Sequence, residues 1–176
     1  MFIKTPQQSQ RILLRPFEES NILLWNTWDS SPQIQEYIPE PFRLLTAEEQ
    51  IEYFVACRES EDEIHAAVID TIDNKTIGTI SLTEISYYHG IGELGIVIGD
   101  TAYYGKGYGL EAMQLFINYL QNETDIVRVS AECEEENIPM QRIFEKLGFI
   151  KECVKLQSRV KKGVRINTVQ YSMLLK

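Results

Sequence analysis

Three glycines at alternate positions, Gly105, Gly107 and Gly109, stand between a stretch with strand periodicity and one with helix periodicity. This junction constrains the chain more than any other feature. Before it, Leu94, Ile96 and Ile98 alternate with Glu93, Gly95 and Val97, the pattern of a strand whose two faces meet different surroundings. Gly99-Asp100 ends that run. After it, Leu110, Met113, Phe116, Ile117 and Leu120 recur at helical spacing through Gln121. The glycines therefore sit at a helix N-terminus. First-turn N–H groups there lack partners within the helix and carry roughly half a unit of positive charge, and glycine lets an anion approach the backbone. The junction reads as a pyrophosphate site, with Lys106 in support; a tight turn that merely starts a helix is the simpler alternative.

Length and composition bound the rest. The 176 residues, 44% of them apolar, are expected to form one domain over 1–176 with a core that needs no staples. Seventeen basic against 26 acidic residues give a net charge of −9, which speaks against a nucleic-acid partner and fits cationic small molecules or basic peptides better. Cys57, Cys133 and Cys153 are spaced like neither a disulfide framework nor a zinc site. A reducing, cytoplasmic location and no metal are the expectation. Residues Met1 to Gln7 contain no apolar signal region and no apolar run approaches a membrane span, so no membrane partner is expected.

Along the chain, Arg11 to Phe17 reads as a strand and Asn21 to Trp28 as a helix, broken by Asp29-Ser-Ser-Pro32. Gln33 to Ile38 adds a helical turn before Pro39 and Pro41. Thr46-Ala-Glu-Glu49 is a capping box that starts a helix running to about Glu59. Ile64–Asp70 and Thr76–Ser86 are strands joined by the hairpin signal Ile72-Asp-Asn-Lys75, and His89-Gly90 turns into the strand before the glycines. Ile126 to Glu132 is a strand placed to lie parallel to that one across the helix. Asn137 caps a second helix with Pro139 in its first turn and Gly148 at its end. Phe149–Leu156 and Arg165–Leu174 close the chain as two strands.

Three readings compete for the glycines. A nucleoside-triphosphatase loop fails, because Gly99 lies six residues before Gly105 and Gly107 stands where a magnesium-binding hydroxyl belongs. A dinucleotide fingerprint matches Gly107-Tyr-Gly109-Leu-Glu-Ala112, but that motif opens a repeated strand–helix series, whereas here strands precede it and too little chain follows. In the third reading, the chain resembles the GNAT superfamily of acyl-CoA-dependent N-acetyltransferases over nearly its whole length. Tyr104-Gly-Lys-Gly-Tyr-Gly-Leu-Glu-Ala112 is similar to the family's pyrophosphate loop, and Asn137 with Arg142-Ile-Phe-Glu-Lys-Leu-Gly-Phe149 to its second cofactor motif. Leu14-Arg-Pro16, Ile77-Gly-Thr-Ile80 and Gly92-Glu-Leu-Gly95 resemble the branch that holds ribosomal-protein and spermidine acetyltransferases (RimJ/RimL-like).

The resemblance implies an α+β fold: a mixed, mainly antiparallel twisted sheet of about seven strands, a splayed parallel pair in its middle and helices on both faces. It implies acetyl-CoA as acyl donor, bound by Val97, Ile98, Tyr104, Gly105, Lys106, Gly107, Tyr108, Gly109, Asn137 and Phe144. The acceptor it implies is a small-molecule amine or a peptide N-terminus: a polyamine, a protein α-amine or an aminoglycoside. A homodimer is the one assembly to consider.

Amine attack on a thioester needs deprotonation of the amine, polarisation of the carbonyl and protonation of the leaving thiolate, but no protein nucleophile. Glu93 is the first candidate for the base, since it begins the strand leading to the loop and matches a family carboxylate; an exposed strand-edge glutamate is the equal alternative. His89 ranks second. Asn137 is both an N-cap and, by resemblance, a hydrogen-bonding partner for cofactor or amine. The family's acid is missing: Phe144 replaces a tyrosine and Met140 a small or hydroxyl residue. The thiolate then leaves unaided, or Cys133 or Tyr108 protonates it. Trp25, Trp28, Tyr37 and the helix from Thr46 are candidates for the acceptor pocket, though each aromatic taken singly suits the core better. A catalytically silent acyl-CoA-binding module is the alternative to an enzyme.

Overall fold

The computed structural model describes residues 1–37 and 43–175. Strands are β1 (Gln7–Gln8), β2 (Ile12–Arg15), β3 (Ile64–Asp70), β4 (Lys75–Ser86), β5 (Ile91–Ile98), β6 (Arg128–Glu134), β7 (Ile150–Lys161) and β8 (Val164–Leu174). Helices are α1 (Glu19–Asp29), α2 (Pro32–Gln35), α3 (Ala47–Glu59), α4 (Tyr108–Glu123) and α5 (Ile138–Leu147). The strands form one open sheet in the order β1-β2-β3-β4-β5-β6-β8-β7, antiparallel except for the pair β5–β6. The α+β fold expected from the sequence is present, with eight strands where about seven were expected. The extra one is the two-residue β1, too short to carry a periodicity.

Both faces of the sheet are covered. Every residue of β3 is buried, and its side chains alternate between two cores: Ala66 and Val68 join Met113, Phe116 and Leu120 of α4, while Ala67 and Ile69 join Ile22 of α1 and Phe54 of α3. Helix α3 starts as its capping box predicts. The Thr46 hydroxyl accepts the Glu49 N–H at 3.2 Å and the Glu49 carboxylate accepts the Thr46 N–H at 2.8 Å. Helix α1 begins at Glu19, two residues before Asn21. Asn21 reaches back instead, accepting the Glu18 N–H at 3.1 Å, and donates to the Thr76 hydroxyl at 3.0 Å in the buried interface.

Two strand limits differ from the sequence reading. Strand β6 starts at Arg128 rather than Ile126, because Ile126 is buried in the core and the Val127 N–H bonds the Gly90 carbonyl as a lead-in at 2.7 Å. Strand β7 continues past Leu156 to Lys161, because a bulge between Lys155 and Arg159, with Gln157 at φ 49°, absorbs the irregularity and lets pairing with β8 resume. Pro39, Pro41 and the end of the Gln33–Ile38 turn lie outside the described residues; the part within them forms α2.

Candidate active site

The strand before the glycines ends because the N–H groups of Gly99 and Asp100 both turn to the Ile77 carbonyl, at 2.8 and 3.2 Å. The ring of Trp28 packs on Gly99 so closely that a β-carbon there would sit 1.9 Å from it. Trp28 is therefore a core residue. A 3₁₀ turn, Thr101–Tyr103, leads into the loop. Gly105 and Gly107 have φ of +70° and +85°, a left-handed backbone that side chains disfavour. Gly107 caps α4, its carbonyl accepting the Glu111 N–H at 3.1 Å. The amides of Tyr108, Gly109 and Leu110 occupy the first turn, where an α-helix offers them no partner.

Gly109 marks where three elements meet. A β-carbon on it would lie 3.7 Å from Ile143 Cδ1 of α5 and 3.8 Å from Ile98 Cγ1 of β5. The same region contains the opening in the sheet. Strands β5 and β6 pair only at Ile91–Arg128, Gly92–Val129 and Glu93–Ser130. Beyond Glu93, β5 stays paired with β4 through Ile98 and β6 with β8 through Glu134. Between them lies a wedge whose two lips carry peptide groups without a strand partner on that side. An extended ligand that carries amides of its own can pair with such lips.

Of the sequence-predicted residues, Val97 and Ile98 lie on the part of β5 that borders the wedge, Glu93 ends its pairing with β6, Tyr104 to Gly109 form the loop and the start of α4, and the others lie elsewhere in the fold. Val97, Tyr104 and Lys106 are exposed, Ile98 is half-buried, and Tyr108 is buried beneath the Arg11 guanidinium and edge-on to Tyr103 at 4.8 Å. Phe144, 1% exposed, packs on Phe149 and Tyr171 inside the core, so its part at the surface is that of a support. Asn137 caps α5, its Oδ1 accepting the Met140 N–H at 3.1 Å, which leaves its amide nitrogen able to donate elsewhere. His89 is exposed in its turn, edge-on to Tyr88 at 4.8 Å. Of the aromatics considered for an acceptor pocket, Trp25 packs on Phe17 and Tyr53, whereas Tyr37 is 45% exposed and lies under Lys161.

Glu93 stands where the β5–β6 pairing ends. Burial, then the negative charges of Glu84 and Glu132, push its carboxyl above the usual range, partly offset by Lys155 and Arg159. Glu132, also partly buried, differs. Burial alone would raise it, but its bonds to Lys155 and Arg159 outweigh that and hold it below the usual range. Glu134 is bound by Lys161 at 2.6 Å. The Cys133 thiol, on β6, is pushed up to about 11 by burial and by Glu132 and Glu134, so it stays protonated at neutral pH.

Sequence reasoning missed Glu84, Arg11 and Glu111. Glu84 sits in a bulge of β4 at φ 52°. A signal was present: the buried alternation Ile80, Leu82 slips to Ile85, which marks one inserted residue. Arg11 and Glu111 pair across 100 positions, and no local pattern announces that. Among the described residues one group could offer three metal-ligating atoms within 4.8 Å, Cys57, Glu63 and His65. It lies at the α3–β3 junction, includes no residue of the loop or wedge, and already pairs His65 with Glu63 at 2.8 Å. No described helix is long and apolar enough to cross a membrane.

Comparison with known proteins shows the family and the fold. Residues 11–150 match the model of the acetyltransferase (GNAT) domain. The uncharacterised N-acetyltransferase YnaD of Bacillus subtilis is 30% identical over 154 residues, covering 83% of this chain and 86% of that protein. A spermidine N-acetyltransferase from Vibrio cholerae, solved with CoA and spermine, superposes with a TM-score of 0.86 at 20% identity, covering 95% of this chain and 97% of that one. RimL, a ribosomal L7/L12 α-N-protein acetyltransferase solved with CoA in disulfide linkage to a cysteine, gives a TM-score of 0.86 at 16% identity, covering 97% of this chain and 98% of its own.

Proposed function

Because this chain belongs to the GNAT family of N-acetyltransferases, we propose that it moves the acetyl group of acetyl-CoA to a primary amine by direct attack within a ternary complex. One observation carries the reading: the helix start at Gly109, the end of β5 at Ile98 and Ile143 of α5 meet beside an open wedge in the sheet. The backbone amides of Gly105 to Gly109 hold the pyrophosphate, with Lys106 and Tyr104 at its rim. The pantetheine arm lies along Val97 and Ile98, pairing with the free lip of β5, and Phe144 backs that surface from the core. Its thioester then reaches the closed end of the wedge, where Glu93 stands.

Glu93 acts there as the base, directly or through water. A carboxyl raised by burial and like charge is a stronger base than a solvated one, provided the pH exceeds its own raised pKa. The neutral amine nitrogen attacks the carbonyl carbon, the C–S bond breaks as the new C–N bond forms, Glu93 takes the nitrogen's proton, and the CoA sulfur leaves as thiolate. Asn137 donates its free amide N–H to cofactor or amine. A thiol pKa near 8.5 lets the sulfur leave without a side-chain acid.

The acceptor pocket lies on the side of Glu84 and Glu93, where negative charge that Lys155 and Arg159 offset only in part favours a cationic amine. Polyamines and protein N-termini are the leading acceptors, in line with what the two structural neighbours act on. Thiol release from acetyl-CoA across spermidine, peptides with free N-termini and an aminoglycoside tests this. Turnover with at least one class is expected. Acetyl-CoA binding without turnover on any would favour the silent module, consistent with Phe144 standing where an acid belongs, and no binding at millimolar acetyl-CoA would overturn the reading.

A further inference from the structure

The glycine loop is tied to the far edge of the sheet by a side chain that the mechanism above does not use. Arg11 lies in the bend between β1 and β2, its own carbonyl fixed by the Thr71 N–H at 3.0 Å. Its Nε and Nη2 donate to one oxygen of Glu111 at 2.8 and 2.5 Å, and its Nη1 donates to the Lys106 carbonyl at 3.1 Å. The guanidinium plane covers the Tyr108 ring, 4.7 Å from its centroid. The Ser9 hydroxyl donates to the other oxygen of Glu111. A β-carbon on Gly107 would come within 3.6 Å of Arg11 Nη2, so the guanidinium borders the loop's left-handed residue.

Each contact acts on a different part of the loop. The Lys106 carbonyl is turned toward Arg11, which leaves the following amides free to point outward. Stacking on Tyr108 fixes the first residue of α4. The Glu111 carboxylate favours the helix N-terminus but would repel a phosphate bound one turn away; Arg11 and Ser9 take both its oxygens. A planar fork is needed to reach a carboxylate and a carbonyl while lying flat on a ring, which a lysine cannot do.

We propose that Arg11 and Glu111 are positioning residues for the cofactor: they hold the glycine loop in its anion-binding shape before acetyl-CoA arrives. The proposal rests on the assignment of the loop to the CoA pyrophosphate. Three variants test it by calorimetry with CoA and by steady-state kinetics with an active acceptor. Arg11→Ala is expected to raise the Kd for CoA and the KM for acetyl-CoA by about tenfold, with kcat and the acceptor KM within about twofold of the parent. Arg11→Lys keeps the charge and the fold and is expected to lose about as much affinity, within about a factor of three. The double variant Arg11→Ala with Glu111→Gln removes the carboxylate that Arg11 leaves behind and is expected to stay weak. Unchanged CoA affinity in Arg11→Ala, rescue by lysine, or recovery in the double variant overturns the proposal, the last two by reducing Arg11 to a counter-charge. If Arg11→Ala does not fold, the lysine variant alone decides. Failure of the parent protein to bind CoA would overturn the loop assignment itself, an outcome distinct from a binding parent with an indifferent Arg11.

Discussion

Replacing Gly109 by alanine separates what the loop does for the chain from what it does for a ligand. Unlike Gly105 and Gly107, Gly109 is a helical residue without a positive φ. A β-carbon there makes ordinary contacts of 3.7 Å with Ile143 and 3.8 Å with Ile98, so the protein alone has room for it. Alanine also restricts the unfolded chain and suits a helix, which together contribute about 0.4–1 kcal/mol toward stability. For a domain of this size that is about 2–4 °C per kcal/mol, so the melting temperature should hold or rise slightly. The same methyl projects between the end of β5 and α5, on the proposed cofactor path. Acetyl-CoA affinity measured by calorimetry should fall about tenfold or more, about 1.4 kcal/mol, while the fold is intact. A stable variant with unchanged affinity would refute the cofactor path, because the glycine would then serve only chain geometry.

Gly107→Val adds backbone strain to the same test. At φ +85° a β-branched residue costs about 1–2 kcal/mol, so both the melting temperature and CoA affinity should drop, as a paired thermal and calorimetric measurement would register. Glu93→Gln should leave CoA binding unaltered and lower turnover at neutral pH. The parent's kcat/KM should rise with pH through the elevated pKa of Glu93, and a glutamine variant that keeps that acidic limb would clear Glu93 of the base role. The sign for stability is opposite: a carboxyl raised on folding stabilises fully below its unfolded pKa and loses that contribution as pH rises through its folded value, so the glutamine variant should melt no lower than the parent at pH 7. Gly99→Ala drives a methyl into Trp28 and should cost about 1–3 kcal/mol by denaturant titration, with a change in tryptophan fluorescence; an unperturbed protein would contradict that packing. Thr46→Ala removes the cap of α3 and should cost about 1 kcal/mol in the same titration.

What could be read from the sequence was whatever a few neighbouring residues determine. Thr46 and Glu49 meet across three positions, Asn137 caps the helix that Pro139 enters, and the alternating glycines announce a helix start, so these elements appear where expected. The parallel pair followed from one helix linking two strands, but not where it would part at Glu93 and Ser130, since that depends on how far each strand keeps its other partner. Contacts between distant segments left no trace. That Trp28 belongs to the core was readable as the commoner fate of an aromatic, but not that it packs on Gly99, and the Arg11–Glu111 pair joins the chain's beginning to its middle. Glu84 lay between: the slipped alternation of β4 encodes its bulge, while its nearness to Glu93 is a property of the assembled sheet.

The parting of β5 and β6 divides this sheet into two panels. One panel is β1 to β5 and the other β6 to β8; three residue pairs join them along the backbone, against seven between β6 and β8. A ligand arm that pairs with the free lip of β5 and fills the seam, as proposed for pantetheine, would stabilise the folded sheet by its binding energy. At a hundred times its Kd that is about 2.7 kcal/mol. Because CoA and acetyl-CoA share the arm that would fill the seam, the tightness of the sheet would follow the total CoA pool and stay the same through each round of acetyl transfer.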